Sequence, residues 1–203
     1  IMSSAPPALR VQWTPIDLPS SFPSLSSHAV VNVTGAGVFS VGGENGPRTL
    51  VPAENCFWRI TPGQPAPLPT DVSILGHAAA AIQLPDGSES VLLVFGGRRG
   101  GAMGTGEETN AVHEYNPRLQ SWRRLTVSGE APSPRSYHAV ASHGSNLFVF
   151  GGCIAHGRCN DVWRFERTSS NSGVDGRWEQ LAAASSDYSV APEGRGGASL
   201  IAV

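Results

Sequence analysis

Three times this chain runs through a short stretch of strand-forming residues and stops on two adjacent glycines: "GVFSVGG" (37–43), "LLVFGG" (92–97) and "LFVFGG" (147–152). Gly96 follows Gly42 by 54 residues, and Gly151 follows Gly96 by 55. A fixed period of this size marks stacked supersecondary units, and it limits the folds open to the chain more than any other feature. The flanks repeat as well. Before each glycine pair lies a small-residue segment headed by histidine, at His28, His77 and His138. After each pair comes a loop and then an aromatic-bearing segment: "NCFWRI", "NAVHEYN" and "NDVWRF". A Trp-x-x-Leu element closes two of the units, at Trp122 and Trp178, whereas the first unit has "PAPLP" (65–69) in that place.

Each unit therefore reads as four strands. A four-stranded antiparallel unit of about 50 residues cannot cover both of its faces alone, but units stacked around an axis cover one another. The first strand is small-residue-rich because it lies innermost, where units crowd. The outer strands carry Tyr115, Trp122, Trp163 and Trp178 because the space between units widens outward. Gly42, Gly43, Gly96, Gly97, Gly151 and Gly152 let the backbone turn where a Cβ would clash and let the next unit approach. The fold expected is all-β: a segment of β-propeller with four-stranded antiparallel blades at 26–69, 76–125 and 136–181. A lone closing strand is expected at 12–18 and the opening strand of a further blade at 195–203. That is about three and a half blades. Propellers have 4–8, so a part of a larger ring is expected, with a self-closing small ring or a completed dimer as the alternatives.

Composition agrees. Of 203 residues, 40% are hydrophobic and only 15% charged, with 24 Gly and 16 Pro, which suits many short strands and turns. No window keeps a helical stripe clear of Gly or Pro. The net charge of −2 gives no reason to expect nucleic acid or an anionic membrane as a partner. No apolar run approaches the roughly 18–20 residues of a membrane span, and no secretory leader pattern opens the sequence. Three cysteines do not make a disulfide framework, so a reduced, cytoplasmic setting is expected.

The hydrophobic run ending in Gly-Gly, followed by a spaced Tyr and Trp, resembles the Kelch-repeat family. The likeness covers nearly the whole chain from Trp13 onward and is best in the unit with Gly96, Gly97, Tyr115 and Trp122. The first unit departs from it, with Phe57 and Trp58 where Tyr is usual. Within that family, 132–203 looks like the plant glucosinolate-specifier proteins, which redirect myrosinase products. Those proteins bind ferrous iron through Glu-x-x-x-Asp-x-x-x-His. That motif is not found here, and its usual place is a later blade.

The chemistry that could sit on such a scaffold lies in loops. In an antiparallel blade, the loop between strands two and three and the segment leading into strand one share an end. That end gathers Arg98, Arg99, Glu107, Glu108 and His156 from the former, and Arg135 and Arg195 from the latter. Arginine forks suit carboxylates, sulfates and phosphates; the alternative is that each arginine ties blades together. The expected binding set is Arg98, Arg135, Arg195, Arg99, Glu107 and Glu108. His28, His77 and His138 repeat once per blade, so repeat structure accounts for them without a metal. "CIAHGRCND" (153–161) has no second half of a zinc site. "GAMGTG" (101–106) lacks the Gly-Lys-Ser/Thr ending of a phosphate loop. No catalytic residue, metal ligand or cofactor is assigned. The expected function is an interaction module that binds a protein partner or an anionic ligand through its arginine-rich loop face. The alternatives are a specifier-like protein steering a small anionic substrate, with iron held by further blades, and the non-catalytic propeller of a larger enzyme.

Overall fold

The sequence SVLLVF forms strand β7 (Ser90–Phe95), and alternate residues of it belong to two different cores. Leu92 and Val94 pack with Val31, Val33, Phe39, Val41 and Phe57 on one side. Val91, Leu93 and Phe95 pack with Leu147, Val149, Trp163 and Phe165 on the other. A strand buried on both faces reads as a continuous apolar run, and this one separates two apolar layers. Blade stacking is thus visible in one strand. The computed structural model describes residues 12–13, 15, 17–18, 20–60, 72–99, 107–169, 173–187 and 189–203.

Blade 1 contains β1 (Ala29–Val33), β2 (Gly37–Val41) and β5 (Phe57–Arg59) in antiparallel order, with a small hairpin of β3 (Glu44–Gly46) and β4 (Thr49–Leu50) beyond the glycine pair. Blade 2 is the complete unit: β6 (Ala78–Gln83), β7, β8 (Val112–Asn116) and β9 (Ser121–Arg124), hydrogen-bonded in that order. Blade 3 contains β11 (Ala139–His143), β12 (Asn146–Ile154), β13 (Gly157–Arg167) and β14 (Gly176–Ala182). A short strand, β10 (Val127–Ser128), leaves blade 2 and pairs parallel with β14, covering the outer edge of blade 3. The innermost strands lie together, with β6 against both β1 and β11. The outer aromatics fill the wedges between blades. Tyr115 and Trp122 meet Phe57 of blade 1 at 4.7 and 5.1 Å between ring centroids, and Trp178 meets Phe95 of blade 2 at 4.8 Å.

Some expectations need correction. No strand forms over 195–203: this segment meets the described residues through isolated backbone bonds at Arg195 and Gly197, not through a ladder. The described residues of 12–18 carry no strand either, while residues 14 and 16 lie outside the described set, as do 61–69 of the first blade. The expected loop at 153–161 is a hairpin. After a bulge between Phe150 and Gly152, β12 and β13 resume pairing through Cys153↔Arg158 and Ile154↔Gly157.

Both glycines of each pair have specific work. In blade 2 the second glycine, Gly97, sits on the backbone of its own blade's His77, where a Cβ would lie 2.7 Å from the histidine Cβ. The first, Gly96, faces the next blade, where a Cβ would lie 2.7 Å from Cε1 of His138. Gly42 does the same to His77 at 2.5 Å. All six have φ between +62° and +109°, the left-handed region that glycine tolerates. The backbone then links blade to blade. Gly43, Gly97 and Gly152 donate N–H bonds to the carbonyls of Ile74, Arg135 and Arg195 at 2.8–2.9 Å. A second series runs through the residue preceding each first-strand head: Gly76 N–H to Ser27 O, Tyr137 N–H to Gly76 O, and Gly197 N–H to Tyr137 O, at 3.1, 2.6 and 2.7 Å. All four of these residues have positive φ, including the non-glycines Ser27 and Tyr137 at +54°.

Candidate functional site

The segments that lead into blade 3 and the hairpin tip of that blade are held by side chains that the repeat places in equivalent positions. Asn110 and Asn160 each follow the glycine pair of their blade, Asn110 two residues before β8 and Asn160 within β13. Asn110 Nδ2 donates to Pro132 O at 3.0 Å, and Asn160 Nδ2 donates to Pro192 O at 2.6 Å, each bond fixing the path to the next blade. Sequence reasoning missed this role, although each aromatic segment begins with Asn.

Arg135 is fully buried and saturated. Its Nη1 and Nη2 reach Oδ1 and Oδ2 of Asp161 at 2.8 and 2.9 Å, and Nη1 also donates to Gly151 O at 2.9 Å. Its Nε donates to Ser133 O at 3.0 Å, and Nη2 to Ser133 Oγ at 3.2 Å. Trp163 Nε1 adds a 2.7 Å bond to Asp161 Oδ2. Burial opposes ionisation of Asp161, but Arg135 and Trp163 outweigh it and hold the carboxyl below its ordinary range. The expectation that Arg135 takes an external anion is therefore corrected: Asp161 supplies the negative charge. The pair is also particular to this blade. At the equivalent positions blade 2 has Ile74 and Ala111, and blade 1 has Leu25 and Cys56. Arg135 is a structural tie that fixes Ser133.

The other sequence-predicted residues are spread over the same end. Arg98 is buried, and its backbone bridges to Leu75 and Glu108. Arg99 is exposed, and its N–H donates to Glu107 O at 3.2 Å. Arg195 is exposed, with Nε donating to Glu193 O at 2.9 Å, the same two-residue contact that Arg135 makes to Ser133.

Glu108 stands apart. With Ser133, Pro134, Ile154, Ala155 and His156 it lines a cleft of about 280 Å³ between blades 2 and 3. Three segments distant in sequence build its walls: the end of the β7–β8 loop, the lead-in to blade 3, and the β12–β13 hairpin tip. Glu108 Oε2 is buried and takes no hydrogen bond from any described residue. A carboxylate is an acceptor with several lone pairs to satisfy, so an oxygen of this kind is an unmet demand for a donor.

The buried histidines have a different character. Burial pushes His77 down to about 4, with the Val41 carbonyl opposing in part, and pushes His138 down to about 3, with the charges of Arg135 and His77 adding to it. Neither ring makes a hydrogen bond of ordinary geometry. Both sit between glycine pairs as packing groups. Among the described residues no three His, Cys, Asp or Glu side chains gather to hold a metal ion, and no helix is long and apolar enough to cross a membrane. The three cysteines are free and buried.

A repeated antiparallel blade, stacked through glycine pairs, with loops gathered at one end, defines part of a β-propeller. A family model described as the KLHDC2/KLHL20/DRC7 Kelch-repeats domain matches residues 27–203, and the chain belongs to this Kelch-repeat family. It is 26% identical over 163 residues to a leucine-zipper-like transcriptional regulator 1 homolog of Drosophila melanogaster, covering 77% of this chain and 15% of that protein. It is 27% identical over 172 residues to an N-(sulfonatooxy)prop-2-enimidothioate sulfolyase of Thlaspi arvense, covering 80% and 45%. It is 30% identical over 78 residues to host cell factor 1 of Rattus norvegicus, covering 38% and 4%. The chain spans less than half the length of each.

Proposed function

We propose that this chain is a Kelch interaction module that binds a protein partner through the loop end of blades 2 and 3. One observation carries the reading: the cleft lined by Glu108, Pro134, Ile154 and His156, assembled from three separate loops on a scaffold whose blades are locked by backbone bonds. Binding residues concentrate on loops that a rigid scaffold positions, and here the scaffold supplies rigidity while the loops supply a concavity. A photocrosslinking amino acid placed at Ala155, on this end, is expected to yield protein adducts in cells. The same group at Asp86, in the β6–β7 turn at the opposite end, is expected to yield none. Equal labelling from both positions, or labelling from Asp86 alone, would overturn the reading.

A second reading has its own support in the likeness to the Thlaspi arvense sulfolyase. On it, the chain steers a small anionic substrate, with exposed Arg99 and Arg195 as the cations on the loop face. It expects inorganic sulfate to bind weakly and to lose affinity in Arg195→Ala. Unchanged sulfate titrations in that variant would exclude Arg195 as the anion site.

A further inference from the structure

We infer that the cleft between blades 2 and 3 receives a lysine or arginine side chain of the protein partner, with Glu108 as the residue that selects its charge. This rests on the interaction-module reading and gives it a chemistry.

Three observations combine. The first is the unmet oxygen. Glu108 Oε2 is shielded from solvent and has no donor among the described residues, so its carboxylate has to turn toward the cleft that Glu108 lines to meet one. Leaving such an acceptor empty is costly, and proteins rarely tolerate it without a reason. A cationic donor satisfies hydrogen bond and charge together, and charge-assisted bonds are about twice as strong as neutral ones. The second is the wall composition. Pro134, Ile154 and Ala155 present apolar surface in the cleft that Glu108 also lines. Lysine and arginine carry a methylene stem behind a charged head, so they match a cleft that is greasy along its sides and acidic at one point. The third is size. At about 280 Å³ the space lies just below the roughly 300–1,000 Å³ of pockets that enclose drug-sized ligands, which suits one long side chain.

The neighbouring cations are Arg98, whose backbone pairs with Glu108, and Arg135. Arg135 lies behind Ser133, but its charge is matched by the two-pronged contact with Asp161. That ion pair serves the cleft indirectly: through Nε and Nη2 it fixes Ser133, one of the wall residues. The buried arginine of the expected anion site therefore acts as a positioning residue for a site of opposite preference.

The test uses the full chain and capped pentapeptides, acetyl-Gly-Gly-X-Gly-Gly-amide, with X as Lys, Arg, norleucine or Glu, followed by NMR titration. Lys and Arg peptides are expected to shift the amide signals of Glu108, Ile154 and Ala155, and the norleucine and Glu peptides to leave them in place. Glu108→Gln is expected to weaken the Lys peptide at least ten-fold without lowering the melting temperature, because it removes an unpaired charge. Glu107→Gln, at the exposed neighbour, is expected to change affinity less than two-fold. Shifts by the Glu peptide as large as those by Lys would overturn the proposal, as would Lys binding that survives Glu108→Gln. Equal losses in both variants would reduce the effect to general surface charge and overturn it too. Free butylamine binding as tightly as the Lys peptide would remove the protein side chain as occupant. Should photoadducts form at Ala155 while the Lys and Arg peptides fail, the basic-group proposal falls and the interaction module stands.

Discussion

Gly96 and His138 belong to different blades, yet a Cβ on Gly96 would come within 2.7 Å of the imidazole Cε1 and 2.8 Å of the Arg135 carbonyl. The glycine is thus a slot cut to the outline of the next blade. Two costs attend its replacement: a left-handed φ of +64°, and the displacement of a neighbour.

Gly144 separates the two costs. Its φ is +58°, but nothing lies within 4 Å of its would-be Cβ. Gly144→Ala is expected to cost about 1 kcal/mol from backbone strain alone. Gly96→Ala is expected to cost about 3 kcal/mol or more, because the carbonyl cannot swing aside as a side chain could. Urea unfolding of both variants measures the difference. Equal losses would show that crowding between blades contributes nothing.

Arg135 and Asp161 offer a swap test within one chain. Breaking a buried pair leaves an uncompensated charge, so Arg135→Ile or Asp161→Ala alone is expected to cost about 3–5 kcal/mol. The double variant copies the Ile74 and Ala111 of blade 2 and is expected to recover most of that loss. A double variant as unstable as the singles would show that the pair is irreplaceable in its blade.

Acid should loosen the stack before it titrates the carboxylates. His77 and His138 are held neutral by burial, with folded values of about 4 and 3 against an ordinary value of 6.5. A depressed histidine leaves the unfolded chain with more bound protons, so stability is full above pH 6.5 and falls as the pH drops toward the folded values. At one pKa unit per 1.36 kcal/mol, each histidine accounts for a loss of about 3 kcal/mol at pH 4. Melting temperatures between pH 7.5 and 4 test this, with His77→Gln and His138→Gln expected to flatten the curve. An unchanged slope in both variants would place the acid sensitivity elsewhere.

On the end of the blades away from the cleft, Glu114 joins blades 2 and 3. Its Oε2 accepts from Arg167 Nε at 2.7 Å and its Oε1 from Arg123 Nε at 2.9 Å, while Arg123 also reaches Asp175 at 2.6 Å. Burial opposes ionisation of Asp175, but the Thr126 N–H and Arg123 prevail and keep its carboxyl below the usual range. Glu114→Ala removes the shared carboxylate from two arginines, one of them buried, and is expected to cost about 3 kcal/mol or more in urea unfolding. Arg118→Ala, at an exposed pair with Glu89, is expected to cost under about 1 kcal/mol.

The blade pattern was legible in the sequence because its glycines answer a steric demand, and such demands leave few residue choices. The wedge aromatics were legible for a related reason: Tyr115, Trp122 and Trp178 fill a gap whose width the geometry dictates. The arginines were not, because the sequence shows a donor and conceals its acceptor. Arg135 looks free until Asp161, 26 residues on, is folded against it. Glu108 was included among the candidates, but as one member of an arginine-rich binding set. Its separate role depends on Pro134 and Ile154, which only the packed loops bring near. The non-glycine positive φ at Ser27 and Tyr137 left no trace either, since neither residue type announces that conformation.

The backbone bonds between blades also mean that hydrogen exchange can watch the blades part. The amides of Gly76 and Tyr137 are bonded across blade boundaries and that of Gly197 from the segment after blade 3, whereas those of Val94 or Val149 are bonded within a sheet. When blades part without melting, the first group loses protection and the second keeps it. Gly43 and Gly76 thus gauge the boundary of blades 1 and 2, Gly97 and Tyr137 gauge that of blades 2 and 3, and Gly152 and Gly197 gauge the seating of 195–197 on blade 3. A partner that clamps blades 2 and 3 together would slow exchange at Gly97 and Tyr137 while leaving Gly43 and Gly76 at their free rates.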